Sequence, residues 1–131
     1  RGLDAVQVTA AGGGERFRRA DRLRSSKDFR RVSREGTRMA SRSFVLLVAE
    51  QRGAEADAPA RLGLTVSRRV GGAVVRTRVK RRLREWFRRH RALIPRGKDL
   101  VIIARPAAAA AGAEELEREL NSAVARLGVV R

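Results

Sequence analysis

The side chains in this chain best suited to chemistry are guanidinium groups. Between Arg68 and Lys98 there are thirteen Lys or Arg residues against one acid, Glu85. Guanidinium does no acid–base or nucleophilic work at neutral pH; it binds phosphate bidentately and stacks on bases. Groups that carry catalysis are scarce. There is no Cys, which excludes disulfides, thiol nucleophiles and zinc fingers. The one His, His90, falls on an apolar helical arc and suits packing or capping. No Ser/His/Asp set, carboxylate pair or metal-ligand cluster stands out. Gly71-Gly72 precedes a helix, and helix N-termini attract phosphate. The Gly-Lys-Ser/Thr ending of a nucleotide-binding loop is missing, so a phosphate of a larger polyanion suits that place better than a bound nucleotide.

These cations need an element to hold them. Residues 62–94 read as strand, glycine turn and long helix. Leu62, Leu64 and Val66 alternate with Gly63, Thr65 and Ser67, the period of a strand. Gly71 and Gly72 supply a tight turn. Val75, Val79, Leu83, Trp86, Phe87, His90 and Ile94 then recur at steps of three and four, filling an arc of about 120°. Trp86 and Phe87 share that arc with Val79 and Leu83, which makes them core rather than base-stacking residues. Arg78, Lys80, Arg81, Arg82, Arg84, Arg88, Arg89 and Arg91 cover nearly everything else. A merely solvated helix face would mix signs and pair acids with bases at i,i+4. Here like charges stack, and a polyanionic partner relieves the repulsion.

The whole chain supports that reading. Its 131 residues suit one domain with a modest core. The net charge of +17 points to nucleic acid or an anionic surface. Of the 31 basic residues three are Lys; the Arg bias suits RNA, and equally suits the codon usage of a GC-rich genome. The absence of Cys fits a cytoplasmic location; no apolar run reaches the length of a membrane span and no secretory signal is visible.

In chain order, residues 1–20 read as a flexible N-terminal extension around Gly12–Gly14, ahead of one domain over residues 21–131. A short helix follows within residues 22–36. Ser25 and Asp28 form its capping box, Phe29 and Val32 its apolar stripe, and Gly36 its C′ residue. A second basic zone, Arg16 to Arg42, has eleven basic and three acidic residues. Residues 36–40 suit a short edge strand, and residues 43–50 a strand buried on both faces. A polar loop spans residues 51–60. Pro95-Arg96-Gly97 stops the long helix, and residues 100–104 form another buried strand. An alanine linker, 106–112, leads to a last helix over 113–127 with Leu116, Leu120, Val124 and Leu127 as its core stripe. Its early glutamates favour the helix dipole. Residues 107–131 carry three basic and four acidic residues, so this end reads as a structural brace. Helices and strands in this order make an α+β sandwich.

The run Gly63-Leu64-Thr65-Val66-Ser67-Arg68-Arg69-Val70-Gly71-Gly72-Ala73-Val74-Val75-Arg76-Thr77-Arg78-Val79-Lys80-Arg81 closely resembles the signature of the bacterial ribonuclease P protein subunit. The likeness extends through Arg22-Leu23-Arg24-Ser25-Ser26-Lys27-Asp28-Phe29 and Gly36. One position departs: Thr77 stands where the family usually has Asn, and a hydroxyl lacks the amide's two-sided contacts. The resemblance implies a single two-layer sandwich of αβββαβα order, with a small mixed sheet and a left-handed βαβ crossover through the basic helix. It implies a protein that helps remove the 5′ leader of precursor tRNA, the catalyst being a partner RNA with its own Mg²⁺, with no catalytic residue or organic cofactor in the protein. Arg68, Arg69, Arg76, Thr77, Arg78, Lys80, Arg81, Arg82, Arg84 and Arg88 would dock the catalytic RNA. Arg22, Lys27, Phe29, Ser33, Leu47, Thr65 and Ser67 would hold the leader of precursor tRNA, with Phe29 stacking in a cleft between the first helix and the sheet. The family often has aromatics where this chain has Ser33 and Leu47. No membrane and no obligate protein partner are implied. The alternative from charge alone is a non-enzymatic basic RNA-binding module, a ribosomal protein or RNA chaperone. The strands disfavour a DNA-binding regulator.

Overall fold

The computed structural model describes residues 5–6, 26–51 and 58–127. Their elements run β1 (Ala5–Val6), α1 (Ser26–Glu35), β2 (Thr37–Ala40), β3 (Phe44–Glu50), β4 (Arg61–Thr65), α2 (Ala73–His90), β5 (Lys98–Ala104) and α3 (Ala113–Arg126). From α1 onward this is the expected αβββαβα order. The strands form one mixed sheet, ordered β1-β4-β5-β3-β2. β4 and β5 are parallel, with α2 as the crossover between them, and the other pairs are antiparallel.

Alternation along the strands sorts residues to two faces. Leu64 pairs with Ile102, and Ile102 with Leu46. This row and its neighbours pack with Val79, Leu83, Trp86 and Phe87 of α2 and with Leu116, Leu120 and Val124 of α3. Val45, Leu47 and Ala49 face the other way and pack with Phe29 and Val32 of α1. β3 is therefore buried on both faces, as its unbroken apolar run predicts. The two anticipated layers are the sheet and the α2–α3 layer; α1 lies alone on the opposite face.

Some local expectations change. Gly36 does not end α1 in a left-handed conformation, since positive φ occurs among the described residues at Gly71 and Gly97. Its role is close approach: a Cβ there would stand 2.6 Å from Val32 O and 2.8 Å from Val48 O. The capping Ser25 lies outside the described residues. The long helix stops at His90, short of Pro95, and a 3₁₀ turn, Arg91–Leu93, carries the chain on. The alanine linker is itself folded, with a 3₁₀ turn at Pro106–Ala109 and with Ala108 and Ala111 buried. Of the extension expected over residues 1–20, residues 5 and 6 are described, and they pair with Thr65 and Leu64 at the sheet edge.

Candidate RNA-binding surface

Helix α2 presents its cations because its apolar arc is committed to the core. Val79, Leu83, Trp86 and Phe87 are buried. Trp86 also donates Nε1–H to Asn121 Oδ1 on α3 at 2.9 Å, so its ring braces two helices, as its place on the arc predicts. His90 stacks on Trp86 with ring centroids 5.6 Å apart. Its Nδ1 lies 2.9 Å from Trp86 O and its Nε2 3.3 Å from Glu117. A carbonyl only accepts, so Nδ1 carries a hydrogen. His90 is a packing residue.

Opposite the core, Val74, Thr77, Arg81 and Arg89 are exposed, with Val74 79% exposed. Arg76, Lys80, Arg84 and Arg88 flank them, half-buried. Burial, with the Arg81 charge one turn away, holds the Arg84 guanidinium below its ordinary pKa. The Arg81 part of that effect, the smaller of the two, is the like-charge crowding expected of the helix. Arg68 and Arg69 are exposed in a turn ahead of α2, closed by Val70 N–H to Ser67 O and Gly71 N–H to Arg68 O, both 3.1 Å. Gly71 is needed there because a Cβ would come within 2.8 Å of Val75 Cγ1. Thr77 lies open on the same face as Arg81.

Two expected RNA contacts have internal work as well. Arg78 Nη2 donates to Ala109 O at 3.1 Å, and Arg82 Nη1 to Ala111 O at 2.6 Å. They tie α2 to the folded linker, and so to α3. Arg88 donates to Glu85 through Nη2 at 2.5 Å, and this pair lowers the Glu85 pKa below its ordinary value.

The leader residues separate. Lys27 and Ser33 are exposed on α1 and Ser67 is half-buried. Arg22 lies outside the described residues. Phe29, Leu47 and Thr65 are only 1%, 2% and 2% exposed. The expectation that Phe29 stacks on a leader base is corrected: α1 lays its apolar stripe directly on β3 and β5, and the ring is core. Leu47 is core beneath it. Thr65 Oγ1 is buried with no hydrogen-bond partner among the described residues.

The family model described as Ribonuclease P matches residues 17–128. The chain belongs to the ribonuclease P protein family. A ribonuclease P protein component from Brevibacillus brevis is 42% identical over 113 residues, covering 86% of this chain and 87% of that protein. One from a Nocardioides species is 45% identical over 111 residues, 83% and 92% of the two chains. The solved RNase P protein of Staphylococcus aureus superposes with a TM-score of 0.77 at 30% identity, covering 86% of this chain and 100% of that one. That of Thermotoga maritima gives 0.70 at 32% identity, covering 80% and 96%. The match decides against a ribosomal protein or RNA chaperone.

Some residues of this ribonuclease P family chain carry little or no mark of their role in the sequence. Arg30 and Arg34 are exposed on α1 beside Lys27; their count in the second basic zone was the available signal. The positioning cluster Arg31–Asp99–Arg61 had none, because it joins three separate elements. Among the described residues, no helix is long and apolar enough to cross a membrane.

Proposed function

We propose that this chain works as the protein subunit of ribonuclease P, assisting removal of the 5′ leader from precursor tRNA in the cytoplasm, with the catalytic centre in the partner RNA. The observation that carries the proposal is the α2 surface, whose apolar arc is spent on the core and whose remaining faces are almost uniformly cationic.

The protein's part is electrostatic and positional. Arg68, Arg69, Arg76, Thr77, Arg81, Arg84 and Arg88 would meet phosphates of the catalytic RNA, with Arg78, Lys80 and Arg82 on the flanks. Each neutralised phosphate releases condensed counterions and adds about 0.7–0.9 to the log–log salt slope. The total slope should have a magnitude of about 4–8. Mg²⁺, held mainly by the RNA, would supply charge stabilisation at the scissile phosphate. Among the described residues no group of three His, Asp or Glu side chains could hold a metal. Fixed protein cations replace part of the screening that free Mg²⁺ otherwise provides. The leader would lie along the exposed cations Lys27, Arg30 and Arg34 of α1, near Ser33 and Ser67. Charge would hold it there, without stacking on Phe29.

The test is precursor-tRNA cleavage by a bacterial ribonuclease P RNA at low Mg²⁺, with and without this protein. Strong stimulation that fades as the leader is trimmed supports both parts. Stimulation indifferent to leader length removes the leader site. Absent stimulation with RNA binding intact overturns the proposal.

A further inference from the structure

Helix α3 has two polar sides, and its overall composition conceals them. Glu117 and Asn121 turn toward α2, where they meet His90 and Trp86. Arg118, Ser122 and Arg126 are spaced four apart on another side and are exposed. With Arg42, from the turn between β2 and β3, they line a groove of about 440 Å³ whose floor includes Ala123. The one acid among its described lining residues is Glu119. Its carboxylate is already occupied, taking hydrogen bonds from Ser41 Oγ at 2.6 Å, Ser43 Oγ at 2.8 Å and Ser43 N–H at 3.2 Å. Arg105, at the end of β5, donates to Ser41 O at the same corner.

Three exposed guanidiniums around one committed carboxylate make a place for a polyanion. We propose that this groove is a second RNA-docking surface, gripping the phosphate backbone of a segment of the catalytic RNA distinct from the one on α2. The choice of partner rests on the function proposed above. The groove lies on the sheet face that carries α2 and α3, so an RNA seated on α2 reaches it across α3. A leader held at α1 lies on the opposite face and would have to turn around the sheet edge. The small residues Ala123 and Ser122 between the arginines leave room for a backbone, and the described lining residues include no aromatic ring for a base. Binding there should be indifferent to sequence.

The experiment uses the full chain and the catalytic RNA. Arg118→Ala/Arg126→Ala should weaken binding by about tenfold at moderate salt and make the salt slope shallower by about 1.4–1.8, the share of two phosphates. A thermal melt confirms that the variant is folded. Because the chain has no Cys, a hydroxyl-radical-generating iron chelate can be placed uniquely on Ser122→Cys, and separately on Thr77→Cys. The two probes should cut the catalytic RNA at different sets of nucleotides. Unchanged affinity and slope in a folded double variant overturn the groove, as does a Ser122→Cys probe that cuts only precursor tRNA or no RNA. Failure of the unmodified protein to bind the catalytic RNA is a different result, and it removes the functional reading together with the groove's occupant.

Discussion

Arg61 grips Asp99 with both prongs of its guanidinium, Nε donating to Oδ1 and Nη2 to Oδ2, each at 2.8 Å. The register places the two residues side by side on β4 and β5. Arg31 of α1 reaches the same Oδ2 at 2.5 Å and gives its other prong to Glu50 O at 2.9 Å. Hydrogen bonding to Asp99 raises the Arg61 pKa, outweighing its burial. One fully buried carboxylate thus fastens α1 to the sheet, and with α1 the Lys27–Arg34 surface.

Removing that carboxylate leaves two guanidiniums in a site built for an anion. Breaking a buried pair costs about 3–5 kcal/mol. Asp99→Asn should lose stability in that range in urea denaturation. Asp99→Leu should fare no better, since both arginines remain. A loss below about 1 kcal/mol, the range of exposed pairs, would mean that the cluster does not hold α1 in place.

What the sequence made legible follows from what periodicity measures. The unbroken apolar run within residues 43–50 and the three-and-four spacing from Val75 to Phe87 report which sides of an element meet the core, and both hold in the fold. Periodicity does not report what an element packs against. Phe29 falls on the inner stripe of α1 whether that stripe borders an open cleft or a closed core, and only the seating of α1 on Leu47 and Val101 decides it. Asp99 lies just outside the strand expected over residues 100–104, and its role shows only when Arg31 and Arg61 arrive from distant segments. A count of charges over residues 107–131 averages two sides of α3 that the fold turns in different directions. Gly36 does follow the last residue of α1, and its further need for space comes from Val32 O in that helix and Val48 O in β3.

Arg81 and Arg78 should part company on mutation. Arg81 is exposed. Arg81→Ala should leave the unfolding midpoint unchanged, weaken catalytic-RNA binding, and lower the salt slope by about 0.7–0.9. Arg78 also holds Ala109 O, so Arg78→Ala should add a stability loss of about 0.5–1.5 kcal/mol. Paired titrations and melts read both. Identical behaviour of the two variants would show that the Arg78 tie to the linker has no energetic weight.

Burial of Phe29 predicts a stability phenotype in place of a recognition phenotype. Phe29→Ala should cost about 3–5 kcal/mol through the cavity it leaves. Phe29→Leu keeps most of the apolar volume and should fold. Its preference for precursor tRNA with a leader over mature tRNA should match that of the unmodified chain. A stacking ring would instead lose about 1–3 kcal/mol of that preference. The ratio of the two tRNA affinities, measured for Phe29→Leu, separates the cases.

Glu119 gives the fold a pH dependence whose sign can be worked out. Burial, the largest influence, pushes its carboxyl up. The hydrogen bonds from Ser41 and Ser43, with Arg42 nearby, outweigh burial and hold it below the ordinary 4.5. A depressed carboxyl contributes stability above its unfolded pKa and loses that contribution as pH falls through the lower folded value. The unmodified chain should therefore shed this increment only below about pH 4.5. Glu119→Gln keeps the shape and removes the ionised acceptor. It should be less stable by roughly 1–2 kcal/mol at pH 7. As acid protonates Glu119 in the unmodified chain, the two proteins should converge. Urea melts of both between pH 7 and pH 3 measure the gap. A gap that stays constant across that range would assign the loss to packing at the β2–β3 turn, and one that widens in acid would reverse the sign argued here.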